Sequence, residues 1–215
     1  MPLNFLRRKK AVAVATPAAA TSGARISRTG VAFDGVTEEW RLVGRMNVEG
    51  RLSDALNKRE SVAIHDVRWA PIDGSAPLLD APGLKSVDPY DLILVLAGEG
   101  SMPELTDSER AAHRVHKVAY DVALEAPPFR VVGTVFLHPG MEPERLLDRA
   151  TDMFVPVVDA VATFGDQRVG DPDVETVLVN RFYLRGVEQV DKRTGLKPQK
   201  LPGRPLGGTT WQDRS

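Results

Sequence analysis

Short apolar stretches alternate with Gly- and Pro-bearing turns along the first half of the chain. Stretches of this length, bounded by turn residues, are typical of β-strands. Leu52 and Leu56 stand four residues apart and therefore indicate one short helix over residues 52–58. The pattern predicts four strands around that helix, at residues 30–34, 40–48, 61–72 and 92–96.

The second half of the chain follows the same plan. Pro143 suits the first turn of a helix, which the pattern extends over residues 143–151. Between the halves, Thr106 and Glu109 have the spacing of a capping box and indicate a linking helix over 106–117. Strands are predicted at residues 117–124, 129–137, 153–163 and 174–180, with a fifth at 182–187.

Three sequence blocks recur in the same order in the two halves. Val-Ala-Phe-Asp at 31–34 returns as Val-Ala-Tyr-Asp at 118–121, and Arg-Leu-Val-Gly at 41–44 returns as Arg-Val-Val-Gly at 130–133. Arg-Leu-Ser-Asp at 51–54 returns as Arg-Leu-Leu-Asp at 145–148. The offset between the copies grows only from 87 to 94 residues. Repetition of this kind predicts two copies of one structural unit.

The predicted fold class is therefore mainly β, on the margin of α+β. We expect two tandem β-barrel-like or β-sheet units, each with one short helix, related by pseudo-twofold symmetry. The expected organisation is a disordered basic arm and linker over 1–28, a first unit over 29–100, a linker over 101–116, a second unit over 117–190 and a disordered basic tail over 191–215.

Charge is distributed unevenly along the chain. The formal net charge is −1, but residues 1–28 carry six Lys and Arg and no acid. The segment between the two basic ends is strongly acidic, and an acidic surface repels phosphate, so nucleic acid is an unfavourable partner. The chain has no cysteine, which excludes disulfides and thiolate chemistry and fits a cytoplasmic protein.

Two resemblances add to this interpretation. The order strand, strand, short helix, strand, strand resembles small β-barrels of the Sm and SH3 type. The run Arg-Leu-Ser-Asp-Ala-Leu-Asn at 51–57 is similar to a module of uncharacterised bacterial proteins, which brings no known activity. The second copy departs from that module, with Leu147, Arg149 and Thr151 in place of Ser, Ala and Asn.

The repeated polar residues are the candidate site positions. Asp54 and Asp148 each follow a repeated arginine, Arg51 or Arg145, and we expect both acids to favour a helix N-terminus. A carboxylate pair that binds a cation or shares a proton is the alternative. Two further pairs recur inside strands: Asp66 with Asp159, expected at bulges or turns, and Gly44 with Gly133, expected at bulges or tight bends.

The N-terminal arm is the candidate contact with a membrane or partner. Its basic block would lean on an anionic surface, with few apolar residues for insertion. The residues concerned are Leu3, Phe5, Leu6, Arg7, Arg8, Lys9 and Lys10.

The function expected from the sequence is that of a non-enzymatic binding or scaffold protein with a duplicated small β domain, because two sites raise avidity. We expect a protein partner, a weak contact with anionic membranes, and a cytoplasmic or membrane-peripheral location; a homo-oligomer is compatible with the pattern. No catalytic residue, cofactor or metal site is predicted. The alternatives are an Sm-like RNA- or DNA-binding protein and an enzyme with a carboxylate site between the units, formed by Asp54 with Asp148 or Asp66 with Asp159.

Overall fold

The computed structural model describes residues 30–98, 101, 117–148 and 152–191. The predicted arm, residues 102–116 of the predicted linker, and residues 192–215 of the tail lie outside the described residues. The contact residues proposed for the arm fall in this group.

The described chain is mainly β. Its twelve strands are β1 (Val31–Val36), β2 (Trp40–Met46), β3 (Val62–Pro71), β4 (Leu79–Asp80), β5 (Ser86–Val87), β6 (Leu94–Ala97), β7 (Val118–Ala126), β8 (Phe129–Leu137), β9 (Phe154–Phe164), β10 (Gln167–Arg168), β11 (Thr176–Asn180) and β12 (Gly186–Gln189). The described residues contain one α-helix, α1 (Leu52–Asn57), and two 3-10 turns, Pro89–Asp91 and Pro143–Leu147. We call the 3-10 turn at Pro143–Leu147 the 143–147 turn.

The strands form one open antiparallel sheet that runs through both halves of the chain. Its order is β12-β7-β8-β9-β11-β6-β1-β2-β3-β4, with β10 beside β9 and β5 beside β3. The halves meet where β6 pairs with β11, in a register that sets Ala97 opposite Thr176 and Leu94 opposite Val179. The mainly β class is therefore confirmed, and the two halves share a single sheet.

The two central strands are buried on both faces. In β6, Val95 packs into one core, while Leu94 and Leu96 pack into the other. In β11, Leu178 packs into the same core as Val95, and Val177 and Val179 pack into the other. Neighbouring strand residues point to opposite faces of a sheet. The continuous apolar sequence of these strands thus reflects a core on each side of the β6–β11 pair.

Each core contains residues from both halves. The first core is built around α1, β2 and β3, yet it includes Met153, Phe154 and Leu178 from the second half. The second core is built around β7, β8 and β9, and it includes Val36, Ile93, Leu94 and Leu96 from the first half. The halves therefore complete one another and do not have separate cores.

Gly44 and Gly133 lie at β-bulges, as the sequence predicts. The β2–β3 register shifts between Val43 and Arg45, and the β8–β9 register shifts between Val132 and Thr134. The repeated acids lie opposite them in the bulged strands, where Asp66 has φ 52° and Asp159 has φ 47°. Aspartate tolerates this left-handed conformation better than most residues, which explains its presence at both positions.

Three features differ from the sequence-based expectation. The predicted helix over 143–151 is wrong as an α-helix, because only the 143–147 turn forms and residues 149–151 are not described. Residues 73–88 lie between the predicted third and fourth strands of the first half, where no strand is predicted, yet they contain β4 and β5. The fourth strands also pair differently, since β6 lies beside the first strand of its own half and β11 beside the third strand of its half.

Among the described residues, no helix combines the length and the apolar character needed to cross a bilayer.

Candidate functional site

A cleft lies where α1 of the first half approaches the 143–147 turn and the start of β9 in the second half. Its volume is about 590 Å³, within the range of small-molecule and cofactor sites. We call it the junction cleft. Its lining consists of Arg51, Ser53, Asp54, Asn57, Lys117, Phe136, Leu137, His138, Met141, Arg145, Leu146, Asp148, Asp152, Phe154, Val155, Pro156, Val158 and Arg181.

The first wall of the cleft is the start of α1. Leu52 and Leu56 are buried and fix the helix on the first core, so the polar residues between them turn outward. Arg51 is the N-cap residue and Asp54 lies in the first turn, where a carboxylate is favoured by the helix dipole. The hydroxyl of Ser53 donates to Oδ1 of Asp54 over 3.4 Å. Asp54 therefore lies near the N-terminus of a helix.

The second wall is the 143–147 turn, which Pro143 and Leu146 anchor in the core. Arg145 lies inside this turn, and Asp148 follows its last residue as the C-cap. The expectation that Asp148 would favour a helix N-terminus is wrong. The physical reason is that the second helical segment begins at Pro143, before the repeated arginine, whereas α1 begins after Arg51.

Asn57 fixes the position of α1 against the second half. The backbone N–H of Phe154 donates to Oδ1 of Asn57 over 2.7 Å, and Nδ2 of Asn57 donates to the Phe154 carbonyl over 3.5 Å. The side-chain amide thereby pairs with the edge of β9 much as a neighbouring strand would. This contact joins α1 to the start of β9, and both residues line the cleft.

Arg181 is a partly buried cation of the cleft. It follows β11, and its backbone N–H donates to the Met153 carbonyl over 2.8 Å. Its guanidinium Nη1 donates to the carbonyl oxygen of Asp148 over 3.1 Å. Burial lowers the pKa of Arg181, and the nearby carboxylates of Asp152 and Asp148 partly offset that effect. Arg181 therefore brings a partly desolvated positive charge to the junction of the halves.

The cleft also has an apolar side. Phe136 on β8 is 49% exposed, and Met141, Pro156 and Val158 line the same space. An exposed phenylalanine beside charged side chains offers contact area for the apolar part of a ligand. The cleft can thus hold a molecule that has both a charged group and an apolar group.

The cleft brings together four of the repeated residues predicted as candidates: Arg51, Asp54, Arg145 and Asp148. The other four lie at the bulges, and none of them lines the cleft. Asp66 and Asp159 are exposed there, and each has the left-handed backbone conformation of its bulge.

Sequence reasoning missed several residues of the cleft. Asn57 is the last residue of the 51–57 module, but the sequence gives no indication of its contact with Phe154. Arg181, Phe136 and His138 carry no local signal, because they reach the cleft only through the pairing of strands that are distant in sequence. Their identification required the sheet order.

No group of three or more His, Asp or Glu side chains is placed to hold a metal ion within the described ranges. Comparison of the chain with protein-family models, with curated proteins and with solved structures returns no match.

Proposed function

We propose that this chain is a non-enzymatic binding or scaffold protein that holds its partner in the junction cleft. The observation that carries the proposal is that both halves contribute to this one cleft, through Arg51 and Asp54 on one wall and Arg145 and Asp148 on the other. Side chains of both signs beside an exposed phenylalanine suit recognition of a polar partner segment with an apolar anchor.

We also propose that the halves arose by duplication of a small β module. Each half has a hairpin, a short helical segment and a long third strand in the same order. Both third strands carry a bulge with a left-handed aspartate opposite a strand glycine, namely Asp66 with Gly44 and Asp159 with Gly133. These similarities support common ancestry of the first three strands, whereas the different pairing of β6 and β11 limits any symmetry of the whole sheet.

Partner capture with a charge-matched control tests the role of the cleft. The double variant Arg51→Glu with Arg145→Glu reverses two charges in the cleft, and Arg68→Glu with Arg185→Glu makes the same change at exposed positions outside its lining. Proteins retained from native lysate by the wild type and by the control should be lost from the cleft variant. Retention of the same proteins by the cleft variant would show that the partner binds elsewhere.

The basic arm over 1–10 is proposed to add a weak contact with an anionic membrane or an acidic partner. Four contiguous basic residues near an anionic surface contribute roughly 1 kcal/mol each. Charge reversal of Arg7, Arg8, Lys9 and Lys10 should abolish co-sedimentation with anionic vesicles, and deletion of residues 1–28 should do the same. Equal sedimentation of the deleted protein would place the contact on the folded part.

The alternative of a carboxylate enzyme keeps one favourable observation, that Asp54 and Asp148 line the same cleft. A double change to Asn would remove any such chemistry while it leaves the arginines in place. The Asp66 and Asp159 pair has no comparable support, because both residues lie at exposed bulges.

A further inference from the structure

Basic residues are concentrated in the junction cleft. The described residues include 13 Lys and Arg and 24 Asp and Glu. Four of these basic residues line the cleft, but only three of the acidic ones do. The cleft therefore carries a small formal excess of positive charge on a body that is otherwise strongly acidic. An acidic surface would keep anions away from most of the molecule and leave the cleft as the favoured place for one.

The three acids of the lining are not distributed evenly around its cations. Asp148 and Asp152 act electrostatically on Arg181, and the Asp148 carbonyl accepts its hydrogen bond. Asp54 lies at the opposite wall, in the first turn of α1. Arg51, Arg145 and Lys117 complete the set of basic residues. Guanidinium groups bind carboxylates and phosphates through paired N–H donors, which gives direction as well as charge.

Arg181 is partly buried, and hydrogen bonds from its backbone N–H to Met153 and from its Nη1 to Asp148 hold it at the junction of the halves. A charged hydrogen bond gains strength where water is partly excluded. Burial lowers the pKa of Arg181, and the carboxylates of Asp152 and Asp148 only partly offset that effect. A bound anion would further stabilise the charged form of Arg181. Phe136 and Met141 line the same cleft and offer an apolar surface to the rest of a bound molecule.

We infer that the junction cleft binds an organic anion that carries an apolar group, held by Arg181 together with Arg51 and Arg145 and packed against Phe136. This inference rests on the proposed role of the cleft as the binding site, and it specifies the chemistry of what is bound there.

Charge-matched probes test the inference on the full-length chain. The probes are 3-phenylpropanoate, its neutral amide and the cationic 3-phenylpropylamine, which share an apolar part of similar size. Phenyl phosphate serves as a second anion. Ligand-detected NMR titration should give tighter binding of the two anions by about tenfold or more, because a hydrogen bond to a charged group contributes roughly 1.5–3 kcal/mol.

Variants assign the binding to the cleft. Arg181→Gln should weaken anion binding by about tenfold or more, on the same reasoning about charged hydrogen bonds. Arg145→Gln is a second variant at an exposed position, where a folding defect is not expected, and it should weaken binding in the same direction. Arg185→Gln lies outside the cleft lining and should leave binding unchanged. Thermal melts of all three variants verify that they are folded.

The outcomes separate this inference from the proposed function. Equal binding of the acid, amide and amine, or preference for the amine, would overturn the anion assignment. If Phe136→Ala weakened that binding, the cleft would still be a binding site. Failure of both anions to bind the wild type would also overturn the inference. The partner-capture experiment with the Arg51→Glu, Arg145→Glu variant tests the proposed function independently of these probes.

Discussion

The amide side chain of Asn57, at the end of α1, pairs with the backbone of Phe154, at the start of β9. Phe154 N donates to Asn57 Oδ1 over 2.7 Å, and Asn57 Nδ2 donates to the Phe154 carbonyl over 3.5 Å. One residue of the first half thus substitutes for a strand neighbour of the second half. Because both residues line the junction cleft, the same contact that joins the halves also shapes the site.

Asn57→Ala should lower the free energy of unfolding by about 1–3 kcal/mol, because it leaves the partly buried N–H of Phe154 without its partner. Urea unfolding followed by circular dichroism measures the change. Asn47→Ala, at an exposed position, is the control and should stay within about 0.5 kcal/mol of the wild type. Equal stability of the two variants would mean that the contact between α1 and β9 adds nothing to the fold.

Gly133→Ala should destabilise the protein more than Gly44→Ala. A methyl group at Gly133 would lie 2.7 Å from Val157 Cγ1 and 2.9 Å from the Val158 carbonyl, whereas at Gly44 the nearest atom would be 3.1 Å away. Overpacking of this kind costs about 1–3 kcal/mol. Gly83→Ala is the control, since nothing lies within 4 Å of its added carbon. Chemical denaturation that ranks Gly44→Ala as the more damaging change would contradict the bulge geometry.

Neither half should fold alone. A fragment of residues 29–116 would lack Met153, Phe154 and Leu178, which complete the first core. A fragment of residues 117–191 would lack Val36, Ile93, Leu94 and Leu96, which complete the second core. Co-expression should restore a stable complex with cooperative thermal unfolding, which each fragment alone should lack. Cooperative unfolding of either isolated fragment would show that the halves have independent cores.

Most strands are accessible from the sequence because each is a short apolar run bounded by turn residues. The second strand of the second half is predicted at 129–137, and β8 has those bounds. The bulges follow from Gly44 and Gly133, since a glycine within a strand often marks a bulge or a tight bend.

The pairing of the halves could not be predicted in this way. The strands β6 and β11 are apolar on both faces, so their sequences lack the alternation that identifies a buried side and a partner. The junction cleft depends on that pairing. The sequence therefore identifies Arg51 and Arg145 as repeated residues, but only the structure shows that they line the same cleft as Arg181.

Tyr183 should make the protein less stable at high pH. Its hydroxyl donates to the Tyr90 carbonyl over 3.0 Å, and burial, followed by the nearby carboxylates of Glu38 and Asp91, raises its pKa above the usual value of 10.0. The unfolded chain then loses this proton at a lower pH than the folded protein. Stability attributable to Tyr183 is therefore present below about pH 10 and decreases as pH rises above it.

Urea unfolding of the wild type and of Tyr183→Phe between about pH 9 and pH 11 measures this contribution, since tyrosine ionises near pH 10. The wild type should lose stability more steeply than the variant over that interval. Parallel curves would show that Tyr183 titrates alike in the folded and unfolded states.

The central claim is that both halves form one binding site, and amide chemical-shift mapping tests it most directly. The 15N-labelled full-length protein is titrated with the partner captured by the wild type and lost from the Arg51→Glu, Arg145→Glu variant. We predict simultaneous, saturable shifts around Arg51 and Asp54 in α1, around Arg145 in the 143–147 turn, and at Arg181. Shifts confined to one half, or located on the sheet away from the junction cleft, would contradict the claim.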